Sequence, residues 1–195
     1  AISSAVIIAE TDVGGRITDA NDLFCQISGY SRAELIGNNH RIVDSGYHPR
    51  SFWIEMWRTV SRGQIWRAEV CNRAKCGRLY WVDTTIVPLR DAENRIASHL
   101  AIRADITARK AAESALALSE RKARAVLDHS RQFVGLLDTN GNLLDANLTA
   151  LKFAGVSTES VLGLPFAESP WWSHDARQQA ELRDGIRRAA NGESI

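Results

Sequence analysis

Asp12-Val13-Gly14-Gly15-Arg16-Ile17-Thr18-Asp19-Ala20-Asn21 returns 126 positions later as Asp138-Thr139-Asn140-Gly141-Asn142-Leu143-Leu144-Asp145-Ala146-Asn147. The aspartate, the glycine, an aliphatic residue and the closing Asp-Ala-Asn keep their places in both copies, and Gly29 and Gly37 return at Gly155 and Gly163 without a gap. Agreement in a single register predicts two copies of one supersecondary unit. Val6-Ile7-Ile8 precedes the first copy, in a strand expected from Ala5 to Ala9, and Phe133-Val134-Gly135-Leu136-Leu137 precedes the second. These runs read as strands, and Asp-x-x-Gly supplies the residues of a hairpin turn. Each copy therefore reads as strand, turn, strand and then short helices.

Beyond the first copy, Gly37-Asn38-Asn39-His40-Arg41-Ile42-Val43-Asp44-Ser45-Gly46-Tyr47-His48-Pro49-Arg50 leads into a helical run. Pro49 suits a first helical position, and Phe52, Trp53, Met56, Trp57 and Val60 then share one apolar face. Such a stripe is ordinary core packing unless polar groups join it. After a turn at Arg62-Gly63 come two strands joined at Lys75 to Gly77. The two-residue strand period puts Trp66, Ala68, Val70 and Asn72 on one face and Arg67, Glu69, Cys71 and Arg73 on the other. Asn72 thus points where the apolar side chains point. A buried amide without partners costs roughly 1 to 3 kcal/mol. It is satisfied either by local backbone at the strand end or by the donor-and-acceptor edge of a flat heterocycle such as a flavin imide.

The 195 residues, 45% of them apolar, suffice for one large or two small cores. A net charge of +1 gives no footprint for nucleic acid or an anionic membrane. No apolar run approaches the roughly 18 residues of a membrane span, and the chain opens on a strand without a charged-then-apolar leader. Three cysteines suit a reducing compartment better than a disulfide framework. The cytoplasm is the expected place, and the chain is expected to be a fragment of a longer protein. Cys71 and Cys76 lack further ligands at metal spacing, and Cys25 sits in an apolar run with Phe24 and Ile27. No nucleophile-base pair, phosphate loop or kinase motif appears, so neither catalytic residues nor a metal site are expected, and this stretch reads as a non-enzyme.

Thr107 to Leu127 contains no Gly or Pro and is rich in good helix formers. Ala112, Leu116, Ser119, Ala123 and Val126 are spaced by 4, 3, 4 and 3, a coiled-coil spacing with a weak seam. It reads either as a signalling helix that pairs across a homodimer or as a solvated connector.

The D-x-x-G-x-[IL]-x-D-A-N signature in this order resembles the PAS family, whose members fold five antiparallel strands and several short helices into a concave sheet. The resemblance implies an α+β chain with a PAS domain at 1–107, a helical signalling linker at 108–127 and a second PAS domain at 128–195 whose later strands are missing. Asp105-Ile106-Thr107 followed by Arg109-Lys110 resembles the exit motif that feeds an output helix in this family. Gly37-Asn38-Asn39-His40-Arg41-Ile42-Val43 resembles the flavin-binding segment of LOV blue-light sensors, with His40 where their adduct-forming cysteine stands.

The whole segment from Gly37 through Asn72-Arg73-x-Lys75-x-Gly77-x-x-Tyr80 is more similar to the FAD-carrying redox PAS domains typified by NifL and MmoS. It shares Ser-Gly-x-x-Pro-Arg at 45–50, Trp57, Trp66 and Asn72-Arg73. On that resemblance Trp57 and Asn72 contact the isoalloxazine, and Asn38, Asn39 and His40 line the same pocket. Phe24, Ile42, Arg50, Trp53, Trp66, Arg73 and Arg103 complete the expected FAD site. Arg103 stands where LOV domains offer a glutamine to the flavin. The alternation of Leu100 and Ile102 as an apolar face would instead turn Arg103 to water, and both readings stay open.

The implied function is an FAD-binding redox sensor region of a cytoplasmic signal-transduction protein, with a sensor histidine kinase or regulator downstream. Two alternatives remain: a haem-binding gas sensor using His40 or His48, although His48 before Pro49 reads as a cap or a solvent-facing residue, and a cofactor-free dimerisation module. In the second copy Leu164-Pro165-Phe166 replaces Asn38-Asn39-His40, and Ser169-Pro170-Trp171-Trp172-Ser173-His174 resembles sensor-kinase PAS domains without a tight cofactor. That copy is expected to be a relay with an empty or water-filled cavity.

Overall fold

In the computed structural model, which describes residues 6–194, the repeated hairpin takes the same form twice. Ala5 lies outside the described residues. In the first copy β1 (Ile7–Asp12) and β2 (Ile17–Ala20) are antiparallel. The Asp12 carboxylate accepts from the amides of Gly14 (2.9 Å) and Arg16 (2.8 Å), while Gly15 turns the chain at φ 80°. Asn21 accepts from Ile8 and Phe24 amides (both 3.1 Å), tying β1 to the start of helix α1 (Asp22–Ser28). At the offset of 126, Asp138 accepts from Asn140 (2.9 Å) and Asn142 (2.8 Å), Gly141 has φ 86°, and Asn147 accepts from Val134 (3.1 Å) and Ala150 (3.2 Å). The motif is therefore a set of side-chain-to-backbone bonds that fixes a turn and caps a helix.

The chain falls into two compact units, Ala1–Ser114 and Ala115–Ile195. In the first, α1 is followed by α2 (Arg32–Leu35), a short helical turn (His40–Val43) and α3 (Arg50–Ser61). Pro49 stands just before α3 as its cap position rather than as its first residue. Three long strands follow: β3 (Trp66–Arg73), β4 (Leu79–Arg90) and β5 (Ile96–Asp105). The sheet order is β2-β1-β5-β4-β3, antiparallel throughout. Ile7, Ile17, Phe24, Leu35, Val43, Val60, Tyr80 and Val82 form a core between the sheet and the short helices.

Helix α4 (Thr107–His129) starts directly after β5. Its entry is held by the Thr107 hydroxyl, which accepts from the Trp81 amide (3.0 Å), and by Arg109 and Lys110, both paired with Glu69 on β3 (2.5 Å each). Leu116 and Val126 of the expected seam are exposed. No helix among the described residues is long and apolar enough to cross a membrane.

The second unit holds β6 (Gly135–Leu137) paired with β7 (Leu143–Ala146), then α5 (Leu148–Ala154), α6 (Thr158–Val161) and α7 (Ala176–Ala190). Leu143, Ala146, Leu151 and Val161 are its buried cluster, against which Phe166 and Trp171 pack. The Trp171 indole donates to the Ala150 carbonyl (3.0 Å).

Gly15 carries the tightest steric demand near the sheet's concave side. A Cβ there would sit 2.9 Å from the Trp57 ring. Gly15→Ala is expected to cost about 1–2 kcal/mol for the left-handed backbone alone and more once Trp57 is displaced. The check is the urea midpoint and hydrogen-exchange protection of β1 and β5; an unshifted midpoint would show that the turn relaxes freely.

Candidate functional site

The concave face of the first sheet and the inner face of α3 enclose a cavity of about 590 Å³, within the range of small-molecule sites. Strand register decides its floor. Ile7 pairs with Arg103 across β1 and β5, and Thr84 pairs with Arg103 across β4, so Thr84, Ile86, His99, Ala101 and Arg103 turn inward. On β3 the two-residue period brings Trp66, Val70 and Asn72 to the same cavity. Trp53, Met56, Trp57 and Val60 of α3 form the opposite wall, a 3.6-residue stripe as the spacing predicts.

The polar groups of this cavity outnumber their partners. Arg103 is only 5% exposed. One of its amino groups meets Nε2 of His40 at 2.9 Å, and Nη1 is buried without a partner. A guanidinium only donates, so Nε2 accepts and the neutral imidazole carries its proton on Nδ1. That Nδ1 is also buried and unpartnered, although part of the His40 residue borders the cavity. Burial and then the neighbouring Arg103 charge push the His40 pKa well below 6.5. Burial lowers Arg103 itself to about 10. Thr84 Oγ1 and His99 Nε2 are likewise enclosed without partners. Asn72, 4% exposed, borders both the cavity and the buried Tyr80 hydroxyl. Burial raises that phenol to about 12, with Arg103 and Asn72 opposing, although its oxygen makes no bond of good geometry.

Of the residues expected to hold FAD, Trp57, Asn72, His40, Asn39, Arg50, Trp53, Trp66 and Arg103 lie on this wall. Four lie off it. Asn38 is exposed, its amide donating to the Glu34 carbonyl (2.8 Å). Arg73 points to the outer side and donates to the Ser45 carbonyl. Phe24 is core, stacked on His40 with centroids 5.3 Å apart. Ile42 packs against the same core.

The β5 alternation resolves with Arg103 inward, whereas Leu100 and Ile102 occupy the outer face, Ile102 being 37% exposed. Their apolar character belongs to the outer side of the sheet, and with the two faces left open the sequence reading did not reach His99. Counting by twos from Arg103 through Ala101 to His99 would have found it.

His48 does not cap α3, and it is half-buried. Its Nε2 accepts from the Cys71 amide (2.9 Å), and its ring stacks on Phe52 at 4.1 Å. With Ser45 Oγ donating to the Cys71 carbonyl (2.5 Å) and the bridge between Asp44 and Asn72, it covers the free edge of β3.

A sheet of this order with a polar-floored cavity, leading straight into a helix, defines a PAS sensor module, and the comparisons agree. A family model described as "PAS domain" matches residues 3–108, and one described as "PAS fold" matches residues 127–195. The chain belongs to the PAS family, as an α+β tandem of two PAS domains joined by a helix. It is 33% identical over 150 residues to the nitrogen fixation regulatory protein of Klebsiella pneumoniae, covering 77% of this chain and 30% of that protein. It is 38% identical over 101 residues to the aerotaxis receptor of Escherichia coli K12, covering 52% of this chain and 20% of the receptor. The chain thus spans less than a third of these relatives. An RNA-binding light-oxygen-voltage receptor of known structure shares the fold at a TM-score of 0.54 and 21% identity, over 60% of this chain and 34% of that one.

Burial, with Asp44 opposing, lowers the His48 pKa below 6.5 in the folded chain, and only an unprotonated Nε2 accepts from Cys71. The unfolded chain therefore takes up this proton first. The stabilisation is complete above 6.5 and is lost as pH falls through and below that value. Amide protection at Cys71, corrected for intrinsic exchange, is expected to fall from about pH 7 to about pH 5. Constant protection would show that the bond does not hold the edge.

Proposed function

We propose that the first PAS domain is a flavin-binding redox sensor carrying FAD, and that it passes its state through α4 to a downstream regulator or kinase domain. One observation carries the reading. A cavity of flavin-sized volume, walled by tryptophans, is lined by residues whose buried polar atoms lack protein partners: Thr84 Oγ1, Arg103 Nη1, His40 Nδ1 and His99 Nε2. Buried polar groups are nearly always bonded, so such a row fits a ligand with a polar edge and an apolar face. The similarity to the Klebsiella nitrogen fixation regulatory protein and to the aerotaxis receptor supports the same direction.

A flavin supplies a ring that accepts a hydrogen bond at N5 when oxidised and donates one there when reduced. The chain's own residues would sense that difference. Asn72 offers a donor and an acceptor on the floor, Trp53 and Trp57 offer flat apolar surface, and Arg103 offers donors only. Arg103 lies four residues before α4, and Trp81 on β4 bonds the helix entry at both Ile106 and Thr107. A shift of β5 against β4 is therefore felt at the first turn of the helix.

Haem is less well served. The Nε2 atoms of His40 and His48 are already committed to Arg103 and to Cys71, so iron ligation would break one of these bonds.

The purified chain is expected to be yellow, with absorption in the blue that bleaches on reduction. A Soret band or a colourless protein that takes up no added FAD would overturn the reading. Asn72→Ala is expected to weaken FAD binding about tenfold or more, equivalent to about 1–3 kcal/mol. The measure is fluorescence quenching on titration of the apoprotein, and unchanged affinity would remove Asn72 from the site.

A further inference from the structure

The floor of the first unit's cavity holds a buried positive charge with which no carboxylate pairs among the described residues; Asp44, the acid on the cavity lining, is exposed, and Arg41, Arg50 and His48 also border the cavity. Around Arg103 the helical turn contributes His40, α1 contributes the Phe24 ring 5.8 Å away, and β4 contributes Thr84 and Tyr80. On β5 the next inward titratable group is His99, beyond Ala101, while β1 and β3 turn only Ile7 and Ala68 toward this row. Asp105, the nearest acid along the strand, accepts from both the amide (2.9 Å) and the hydroxyl (2.5 Å) of Thr107. Among the described residues no carboxylate pairs with Arg103. A buried charge without a counter-ion is costly, and it favours whichever state of a neighbouring group carries the opposite sign.

We infer that Arg103 sets the proton count of the redox step at this site, holding the two-electron-reduced ring as an anion so that only one proton is taken up. The inference rests on the flavin reading above. The balance is one oxidised ring, two electrons from a low-potential reductant and one proton, giving a reduced ring with one new N–H bond and one negative charge beside the guanidinium. The nearby protein groups do not supply a second proton. His40 accepts from Arg103 through Nε2 and stays neutral near neutral pH, because burial holds its pKa well below 6.5. The Tyr80 phenol, at about 12, stays protonated.

The test uses the full 195-residue chain loaded with FAD, reduced with dithionite and redox mediators in a spectroelectrochemical cell. The midpoint potential is followed from about pH 5.5 to about pH 8, and one proton per two electrons gives a slope of about 30 mV per pH unit, two protons about twice that. The wild-type chain and Arg103→Lys are expected to show the shallow slope throughout. Arg103→Gln is expected to double it on the acid side and to show the absorption of a neutral reduced ring there. A steep acid-side slope in the wild-type chain, or a shallow one retained in Arg103→Gln, overturns the inference while leaving flavin binding intact. If Arg103→Gln does not fold by circular dichroism, the wild-type slope and reduced-state spectrum decide alone. Failure to take up FAD at all overturns both this inference and the reading beneath it.

Discussion

The register between β1 and β5 is the constraint on which the first domain depends. Ile7 opposite Arg103 and Thr11 opposite His99 join the start of the domain to its last strand, and together they fix which side chains face the helices. Side chains alternate along a strand, so a slip of one residue would exchange the two faces completely. Leu100 and Ile102 would then fill the concave side, and Arg103 would stand in water. The hydrophobic pattern alone does not forbid this, because both faces of β5 carry apolar residues. The choice is enforced from outside the strand by the hairpin, whose Asp12 and Asn21 bonds fix β1, and by the Arg103 bond to His40.

This is also where reading the sequence succeeded and where it stopped. The turn of each copy was legible because its bonds are local, between residues two to four apart, and use residue types with few other uses, whereas the capping role of the asparagine was seen only in the structure. The faces of α3 and β3 were legible because each carries one clear stripe. β5 was not, since its outward aliphatic pair mimics a core face. The role of His48 was hidden for a different reason. Its partner lies 23 residues away on the next strand, and nothing in the local sequence distinguishes a ring accepting a backbone amide from one pointing to solvent. Asn38 and Asn39 illustrate the same limit at closer range. Adjacent amides look equivalent on paper, but one turns back on α2 while the other caps the helical turn beside the cavity.

The cavity has an electrostatic character that its apolar walls conceal. Tryptophans and aliphatic residues make it a place where charges are weakly screened, so Arg103 acts there more strongly than a surface arginine would. Its nearest partner, His40, is made a poor base by the same burial and by the same charge. The two groups therefore define a site with a fixed donor and a neutral acceptor. This differs from the salt bridges of the surface, such as Arg67 with Asp83 or Lys75 with Glu34, which water screens.

The two copies match more deeply than their sequences do. In the first, the Ile17 amide donates to the Asn38 carbonyl (2.9 Å) and the His40 amide to the Gly15 carbonyl (3.0 Å). In the second, Leu143 donates to Leu164 (2.9 Å) and Phe166 to Gly141 (2.8 Å), at the same offset. The main chain is thus a common chassis, and an imidazole in one copy is exchanged for a phenyl ring in the other without disturbing it. A lineage built on such parts can gain or retire a chemical sense by point substitution after duplication, while the mechanical frame is inherited unchanged.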